Sequence, residues 1–195
     1  MTNFFTSDTH FGHANIIKYT NRPFTDVPAM NEALIANWNA VVSPYDTVFH
    51  MGDVALGPWV EWDSVLSRLN GNIFLVIGNH DRVFEGMGQK QNDKFRDVYA
   101  QWFAAMKPSV TGYILGAHVI NMSHFPYDGD HTSEERYNEY RLPDEGRVLL
   151  HGHTHYDSKV SRSKKGTLQI HVGQDAWDYR PVSEAEVLDL IRENS

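Results

Sequence analysis

Residues 73–81 read Ile-Phe-Leu-Val-Ile-Gly-Asn-His-Asp. Five consecutive apolar residues are typical of a strand buried on both faces, as in a parallel sheet covered by helices. Gly78 then permits a sharp turn, after which Asn79, His80 and Asp81 present polar side chains in sequence. We therefore expect a strand of an α/β sheet with a polar site at its carboxyl end.

The same pattern of an apolar run followed by a polar motif occurs four more times. The predicted strands are Asn3–Ser7, Thr47–Met51, His118–Met122 and Arg147–Leu150. The motifs that follow them are Asp8-Thr9-His10, Gly52-Asp53, His124 and Gly152-His153-Thr154-His155. The predicted helices are Val27–Val42, Pro58–Leu69, Lys94–Met106 and Ser183–Arg192, and a hairpin is predicted over Val160–Val172. Alternating strands and helices predict an α/β layered fold in which ligands bind beyond the strands' carboxyl ends.

Composition favours one domain over residues 1–195, with 41% hydrophobic residues and a formal charge of −8. No apolar run approaches the ~20 residues of a membrane span, and residues 1–5 lack the basic start of a signal peptide. We therefore expect a cytoplasmic protein without a membrane partner. The absence of cysteine excludes thiolate ligands, and the acidic charge argues against a general nucleic-acid coat protein.

Seven side chains of the five motifs are hard or borderline metal ligands. Seven such ligands are too many for one ion, but they fit two ions that share a carboxylate. Asp-x-His and Gly-Asp are weak signals alone, whereas Gly-Asn-His-Asp and Gly-His-x-His are more specific. The five motifs together, each at a strand end, predict a two-metal centre; the alternative is a set of polar residues satisfied within turns.

The order of the motifs resembles that of the calcineurin-like metallophosphoesterase superfamily, D-x-H…G-D…G-N-H-[DE]…H…G-H-x-H, from Asp8 to His155. Residues 8–13 and 21–24, Asp-Thr-His-Phe-Gly-His and Asn-Arg-Pro-Phe, are similar to a group of small bacterial and phage predicted phosphoesterases. The resemblance implies a four-layer αββα sandwich, two packed mixed β-sheets flanked by helices. It implies a first metal site of Asp8, His10, Asp53 and His155, and a second of Asp53, Asn79, His124 and His153.

These ligands suit Mn, Fe, Zn, Co or Ni, among which we favour Mn. Two such ions about 3.5–4 Å apart share a bridging water and lower its pKa, and the resulting hydroxide attacks phosphorus. We expect His80 to protonate the leaving oxygen and Asp81 to orient His80. The alternative is that His80 is an eighth ligand or supports a ligand.

The expected substrate contacts are His13, Arg22, His131 and Arg136. His13 could instead support a metal ligand, and Arg22 could be a packed turn residue. Residues 127–146 form a polar stretch that could fold over the metals as a lid, with Arg136 and Arg141 on phosphate. The alternative for this stretch is a solvated loop.

The expected function is a phosphodiesterase acting on a small-molecule phosphate ester such as a nucleotide. The Asp-Arg-Gly element usual in serine/threonine protein phosphatases does not follow Gly52-Asp53, and 195 residues leave little room for the capping domain of DNA-repair nucleases. The alternatives are a phosphomonoesterase, a nuclease acting on RNA or DNA ends, and a non-catalytic scaffold. The basic run 159–165 could contact nucleic acid, but no aromatic residues interleave with its charges. The oligomeric state is left open.

Overall fold

The structure, a computed structural model, describes residues 1–195 and contains two mixed β-sheets of five strands each, flanked by helices. The strands are β1 (Asn3–Thr6), β2 (Thr47–His50), β3 (Asn72–Val76), β4 (Ala105–Lys107), β5 (Ser109–Leu115), β6 (His118–Ser123), β7 (Val148–His151), β8 (Val160–Arg162), β9 (Leu168–His171) and β10 (Val182–Ser183). The helices are α1 (Ala14–Tyr19), α2 (Val27–Val41), α3 (Asp63–Leu66), α4 (Gln89–Tyr99) and α5 (Glu184–Glu193). The expected pair of mixed sheets with flanking helices is confirmed.

The order of the strands brings several carboxyl ends together in each sheet. The first sheet has the order β10-β1-β2-β3-β4, in which β1 to β4 run parallel and β10 is antiparallel to β1. The second has the order β5-β6-β7-β9-β8, in which β6, β7 and β9 run parallel. Side chains that follow parallel neighbouring strands therefore lie along one edge of each sheet.

The core has two parts because the first sheet is buried on both faces. Phe4 packs in a cluster with residues of α2 such as Trp38, whereas its neighbour Phe5 packs in a cluster with residues of the second sheet. The rings of Phe49 on β2 and Tyr113 on β5 lie 5.1 Å apart between centroids, which shows the two sheets in contact. Successive side chains of a strand point to opposite faces, so both faces of β1 need apolar residues.

Two helix predictions were wrong in their extent. Residues 58–69 form a 3-10 turn at Trp59–Glu61 and the single turn of α3 instead of one helix. Helix α4 begins at Gln89 and ends at Tyr99, whereas 94–106 was predicted. The chain then enters the first sheet: the Ala104 N–H donates to the Ile73 oxygen, and Met106 pairs with Leu75. Edge pairing thus overrides the helical spacing of the apolar residues, and α1 was not predicted.

Residues 127–146 contain one 3-10 turn at Asn138–Tyr140 and lie against the second sheet. The Tyr127 N–H donates to Gln169 Oε1 at 2.7 Å, and the Tyr127 hydroxyl accepts a hydrogen bond from Asn121 at 3.0 Å. None of the helices combines the length and the apolar character that crossing a membrane requires.

Candidate metal centre

The five motifs meet where the carboxyl ends of the two sheets adjoin. Asp8, Asp53 and Asn79 follow strands of the first sheet, and His124, His153 and His155 follow strands of the second. Hydrogen bonds join the sheets here. His124 Nδ1 lies 2.7 Å from the Met51 carbonyl oxygen, and the His153 N–H donates to Asp8 Oδ2 at 3.0 Å. The predicted strand-end motifs therefore form one cluster.

An unusual backbone conformation is concentrated in this cluster. Five of the nine non-glycine residues with positive φ are candidate ligands: Asp8, His10, Asp53, His153 and His155. The left-handed region is costly for residues with a Cβ atom, and it persists only where the surrounding structure imposes it. Gly52 is needed for a related reason, because a Cβ atom there would lie 2.4 Å from the Gly78 nitrogen. The chain is thus bent to aim these side chains inward.

The seven predicted ligands form two groups that share one carboxylate. In the first group, Asp8 Oδ1 lies 3.8 Å from His10 Nε2 and 3.8 Å from His155 Nε2. In the second group, Asn79 Oδ1 lies 3.0 Å from His124 Nε2 and 3.0 Å from His153 Nδ1.

Asp53 Oδ2 lies between the two groups, 3.7 Å from His10 Nε2 and 3.5 Å from His124 Nε2. This is the arrangement that two cations sharing a carboxylate require.

The first group contains buried polar atoms that have no hydrogen-bond partner within the protein. Asp8 Oδ1 and both ring nitrogens of His10 are buried without a hydrogen-bond partner. A buried polar atom left unpartnered costs about 1–3 kcal/mol, so such atoms call for a ligand. Carboxylate and imidazole donors fit a divalent transition metal.

Burial controls the charge of the cluster. It raises the pKa of the Asp8 and Asp53 carboxyls and lowers the pKa of the His10 and His124 imidazoles. It also lowers the pKa of His153 to about 2. These three imidazoles are therefore neutral, which is the form that binds metal. A divalent cation would favour the ionised carboxylates, so the donor set fits such an ion.

His80 lies on the solvent side of the cluster. Its side chain is 46% exposed, and its Nε2 lies 4.0 Å from Asp53 Oδ2. Its ring meets that of His10 edge-on, with 5.6 Å between centroids, and its backbone N–H donates to Asp53 Oδ1 at 2.8 Å. The ring of His80 is therefore held beside the ligands while it stays accessible to a molecule in the cavity.

The expectation that Asp81 orients the ring of His80 was wrong. Asp81 is fully buried, and Oδ2 accepts hydrogen bonds from the Asp53 and Gly78 N–H groups at 3.1 and 2.8 Å. Oδ1 accepts one from the Val54 N–H at 3.1 Å. Both oxygens are thus engaged with backbone, and Asp81 ties the loop after β2 to the loop after β3.

The expectation that Arg22 contacts substrate was also wrong. Its guanidinium is buried and donates to the backbone oxygens of Asp8 and Thr9 at 2.7 and 3.0 Å. It also donates to both carboxylate oxygens of Asp175, at 2.9 and 3.1 Å. Arg22 therefore supports the first motif from behind, as the alternative of a packed residue anticipates.

A cavity of about 540 Å³ opens over the cluster and is lined by the other predicted substrate contacts, His13, His131 and Arg136. Ile16 and Tyr19 of α1 line one part of it, and Tyr137 lines another. Arg141 has a different place, since it donates to the backbone oxygens of Pro126, Gly129 and Arg136. Arg141 thus stabilises residues 127–146 internally.

Two buried carboxylates beside the cluster were not predicted. Asp175 Oδ2 lies 2.9 Å from His155 Nδ1, and Asp130 Oδ2 lies 3.3 Å from His153 Nε2. Burial alone would lower the pKa of His155, but the Asp8 and Asp175 carboxylates outweigh it and raise that pKa. The sequence did carry a signal for Asp175: it follows β9, a third parallel strand of the second sheet, at the same edge.

The fold and the donor set define an α/β protein with clustered nitrogen and oxygen ligands, and comparisons with known proteins give its family. The family model described as calcineurin-like phosphoesterase matches residues 1–157. The gene 66 protein of Mycobacterium phage L5 is 37% identical over 198 residues, covering 96% of this chain and 92% of the phage protein.

Two further relatives extend this result. An uncharacterised protein of Methanocaldococcus jannaschii is 34% identical over 192 residues, covering 95% of this chain and 86% of the archaeal protein. The crystal structure of a protein of unknown function from Aquifex aeolicus matches with a TM-score of 0.72 and 25% identity, covering 97% of this chain and 98% of that one.

The chain belongs to the calcineurin-like phosphoesterase family, and the resemblance seen in its motifs is confirmed. The family uses divalent metals, and the clusters of His and Asp described above could bind them. Membership therefore supports a metal-dependent hydrolase of phosphate esters.

Proposed function

We propose that the protein is a dinuclear-metal phosphodiesterase that hydrolyses a small-molecule phosphate ester such as a nucleotide. One observation carries the proposal: donors from both groups, joined by Asp53, line one cavity, and its lining continues to His13 beside His10 and to His131 beside His153. A phosphodiester carries an ester group on each side of its phosphorus, so it needs room in two directions.

The first ion is assigned to Asp8, His10, Asp53 and His155, and the second to Asp53, Asn79, His124 and His153. Carboxylate, amide and imidazole donors suit Mn, Fe, Zn, Co or Ni, and we favour Mn. When bound, the ions would supply Lewis-acid chemistry that neutralises the phosphoryl oxygens and makes water more acidic. The protein's part is to hold seven donors in place before substrate arrives, which its bent backbone supports.

We assign to His80 the role of donating a proton to the leaving oxygen of the substrate. Its half-exposed ring stands beside Asp53 and lines the cavity, so it can reach a substrate oxygen while remaining outside the ligand set. Donation of a proton to the leaving oxygen from an imidazole contributes about 10²–10⁴ in rate.

The walls of the cavity supply the remaining substrate contacts. Ile16 and Tyr19 offer apolar surface beside His13, which suits one substituent of a diester. On the other side, Arg136 uses Nη2 to bond Asp130, which leaves Nε and Nη1 for an anionic oxygen.

The size of the cavity and the net charge of the whole protein favour a small molecule over a nucleic-acid strand. About 540 Å³ lies within the range of small-molecule pockets, and His131, Arg136 and Tyr137 of residues 127–146 line part of it. The formal charge of −8 also opposes binding of a long polyanion.

The proposal is tested by hydrolysis of bis(p-nitrophenyl) phosphate and of p-nitrophenyl phosphate with added Mn²⁺. We expect turnover of the diester, its abolition in Asp53→Asn, and a loss of about 100-fold or more in His80→Ala. The matched controls are Asp97→Asn, an exposed carboxylate of α4, and His118→Ala on β6, and both should retain wild-type rates.

Turnover of the monoester alone would replace the diesterase assignment with a monoesterase. The absence of turnover with either ester and with a panel of nucleotide diesters, in protein loaded with two ions, would refute the proposed activity.

A further inference from the structure

The two histidines of the Gly152–His155 motif each face a buried carboxylate on one ring nitrogen, and the nitrogen differs between them. His155 Nδ1 lies 2.9 Å from Asp175, whereas His153 Nε2 lies 3.3 Å from Asp130. A carboxylate accepts a hydrogen bond and cannot donate one when ionised, so the nitrogen that faces it carries the proton. The opposite nitrogen of each ring is then free to bind a metal ion.

This rule gives the donor atom of His155. With the proton on Nδ1, the free atom is Nε2, which lies 3.8 Å from Asp8 Oδ1 in the first group of donors. Asp175 is itself held in place, because Arg22 donates hydrogen bonds to both of its carboxylate oxygens. Arg22 also donates to the backbone oxygens of Asp8 and Thr9. The hydrogen-bonded series Arg22–Asp175–His155 therefore ends in the first proposed metal site.

The same rule gives the opposite atom for His153. With the proton on Nε2, the free atom is Nδ1, which lies 3.0 Å from Asn79 Oδ1 in the second group of donors. Asp130 is fixed by Arg136 Nη2 at 3.0 Å and by Arg141 Nη2 at 3.5 Å. A second hydrogen-bonded series of arginine, aspartate and histidine therefore ends in the second proposed metal site.

Asp130, His131 and His153 also lie close enough to form a cation site of their own, but the charges around them oppose it. The guanidiniums of Arg136 and Arg141 both contact the Asp130 carboxylate. A divalent ion placed there would meet two positive charges at short range. The cluster therefore serves as a support for His153.

We propose that Asp175 and Asp130 are positioning residues, each of which sets the ring orientation, the tautomer and hence the affinity of one metal site. The inference rests on the proposed two-metal centre. It makes residues 127–146 a fixed part of the second site, since Asp130 belongs to that segment. Carboxylates that bond a ligating histidine typically contribute about 10–100-fold to metal affinity.

The test is a titration of the metal-free protein with Co²⁺, followed by visible absorption and calorimetry, for wild type, Asp130→Asn and Asp175→Asn. Asparagine keeps the shape but loses the charge. We expect two binding events in wild type. Asp130→Asn should weaken one event by about 10–100-fold and leave the other within about threefold, and Asp175→Asn should weaken the other event.

Glu186→Gln is the matched control, because Glu186 also pairs with an arginine but lies on α5, away from the site. It should bind both ions as wild type does. Wild-type affinities in both aspartate variants, or equal weakening of both events in each of them, would overturn the inference. Fewer than two binding events in wild type would overturn the proposed centre together with this inference.

A second measurement needs no variant and therefore does not depend on the variants folding. Imidazole ¹⁵N shifts of the Zn²⁺-loaded wild-type protein should show the proton of His153 on Nε2 and that of His155 on Nδ1. The reverse tautomers would refute the inference. If two ions bind with these tautomers and no ester is hydrolysed, the positioning roles stand while the proposed activity fails.

Discussion

Asp81 holds two of the ligand-bearing loops together through backbone hydrogen bonds. Its oxygens accept from the N–H groups of Asp53, Val54 and Gly78, and it is fully buried. Burial and the charge of Asp53 raise the pKa of Asp81 to about 6, so the group is ionised at pH 8. An asparagine there would turn an NH₂ group toward a backbone N–H and leave it without an acceptor.

We predict that Asp81→Asn lowers the free energy of unfolding by about 1–3 kcal/mol, the cost of a buried donor left unpaired. Urea unfolding of the metal-free protein at pH 8 measures it. Asp97→Asn, an exposed change on α4, should stay within about 0.5 kcal/mol of wild type. A result for Asp81→Asn inside that same range would contradict the role assigned to its hydrogen bonds.

Residues were predictable where their role followed from their position on a strand, and not where it followed from a tertiary contact. Asp8 and Asp53 follow apolar runs, so the edge of the sheet brings them together whatever the rest of the chain does. Arg22 and Asp175 are 153 positions apart, and nothing local in the sequence pairs them. Asp81 shows the same limit, since its neighbour His80 was the partner that the sequence suggested.

Among the elements, α5 is one whose start could be predicted from the sequence. Ser183 and Glu186 form a capping box: each side chain accepts from the other residue's backbone N–H. Helix α4 shows the opposite case. Its apolar residues continue at helical spacing after Tyr99, but pairing of 105–107 with β3 ends the helix. A capping box involves residues close together in the sequence, so it can be predicted from the sequence. Whether a segment continues a helix or pairs with the edge of a sheet depends on the whole fold.

We predict that Glu186→Gln destabilises the protein in a pH-dependent manner. Burial acts to raise the pKa of Glu186, but hydrogen bonds from Arg180 and Ser183 outweigh it and lower the pKa to about 2. A depressed folded-state pKa stabilises the protein above the ordinary value of 4.5, and this contribution is lost as the pH falls toward 2. We expect a loss of about 1 kcal/mol at pH 7, typical of a helix cap, shrinking below pH 4.

Urea unfolding of wild type and Glu186→Gln across pH 3–7 measures this difference. Glu134→Gln is the matched control, because Glu134 is exposed and has no side-chain partner, and its effect should be small at every pH. A difference for Glu186→Gln that stays constant with pH, or that grows as the pH falls, would contradict the assignment.

At the scale of the whole molecule, the candidate metal centre lies where the two sheets meet, and residues that follow strands of each sheet contribute to it. Asp8 and Asp53 follow strands of the first sheet, and His124, His153 and His155 follow strands of the second. An ion bound in either proposed site would therefore take ligands from both sheets. Because an ion that binds only the folded state stabilises it, metal binding should be visible in the stability of the whole domain.

We predict that Mn²⁺ at about 100 times its dissociation constant raises the melting temperature of the metal-free protein by at least about 5 °C. One ion at that concentration contributes about 2.7 kcal/mol, and 1 kcal/mol corresponds to about 2–4 °C for a chain of this size. Asp53→Asn should reduce the rise to less than half, because Asp53 lies within 4 Å of donors from both groups. Glu186→Gln should begin at a lower melting temperature and show the full rise. Scanning calorimetry with and without the ion measures the melting temperatures of wild type and of both variants. An equal rise in wild type and Asp53→Asn would show that Asp53 does not join the two sites.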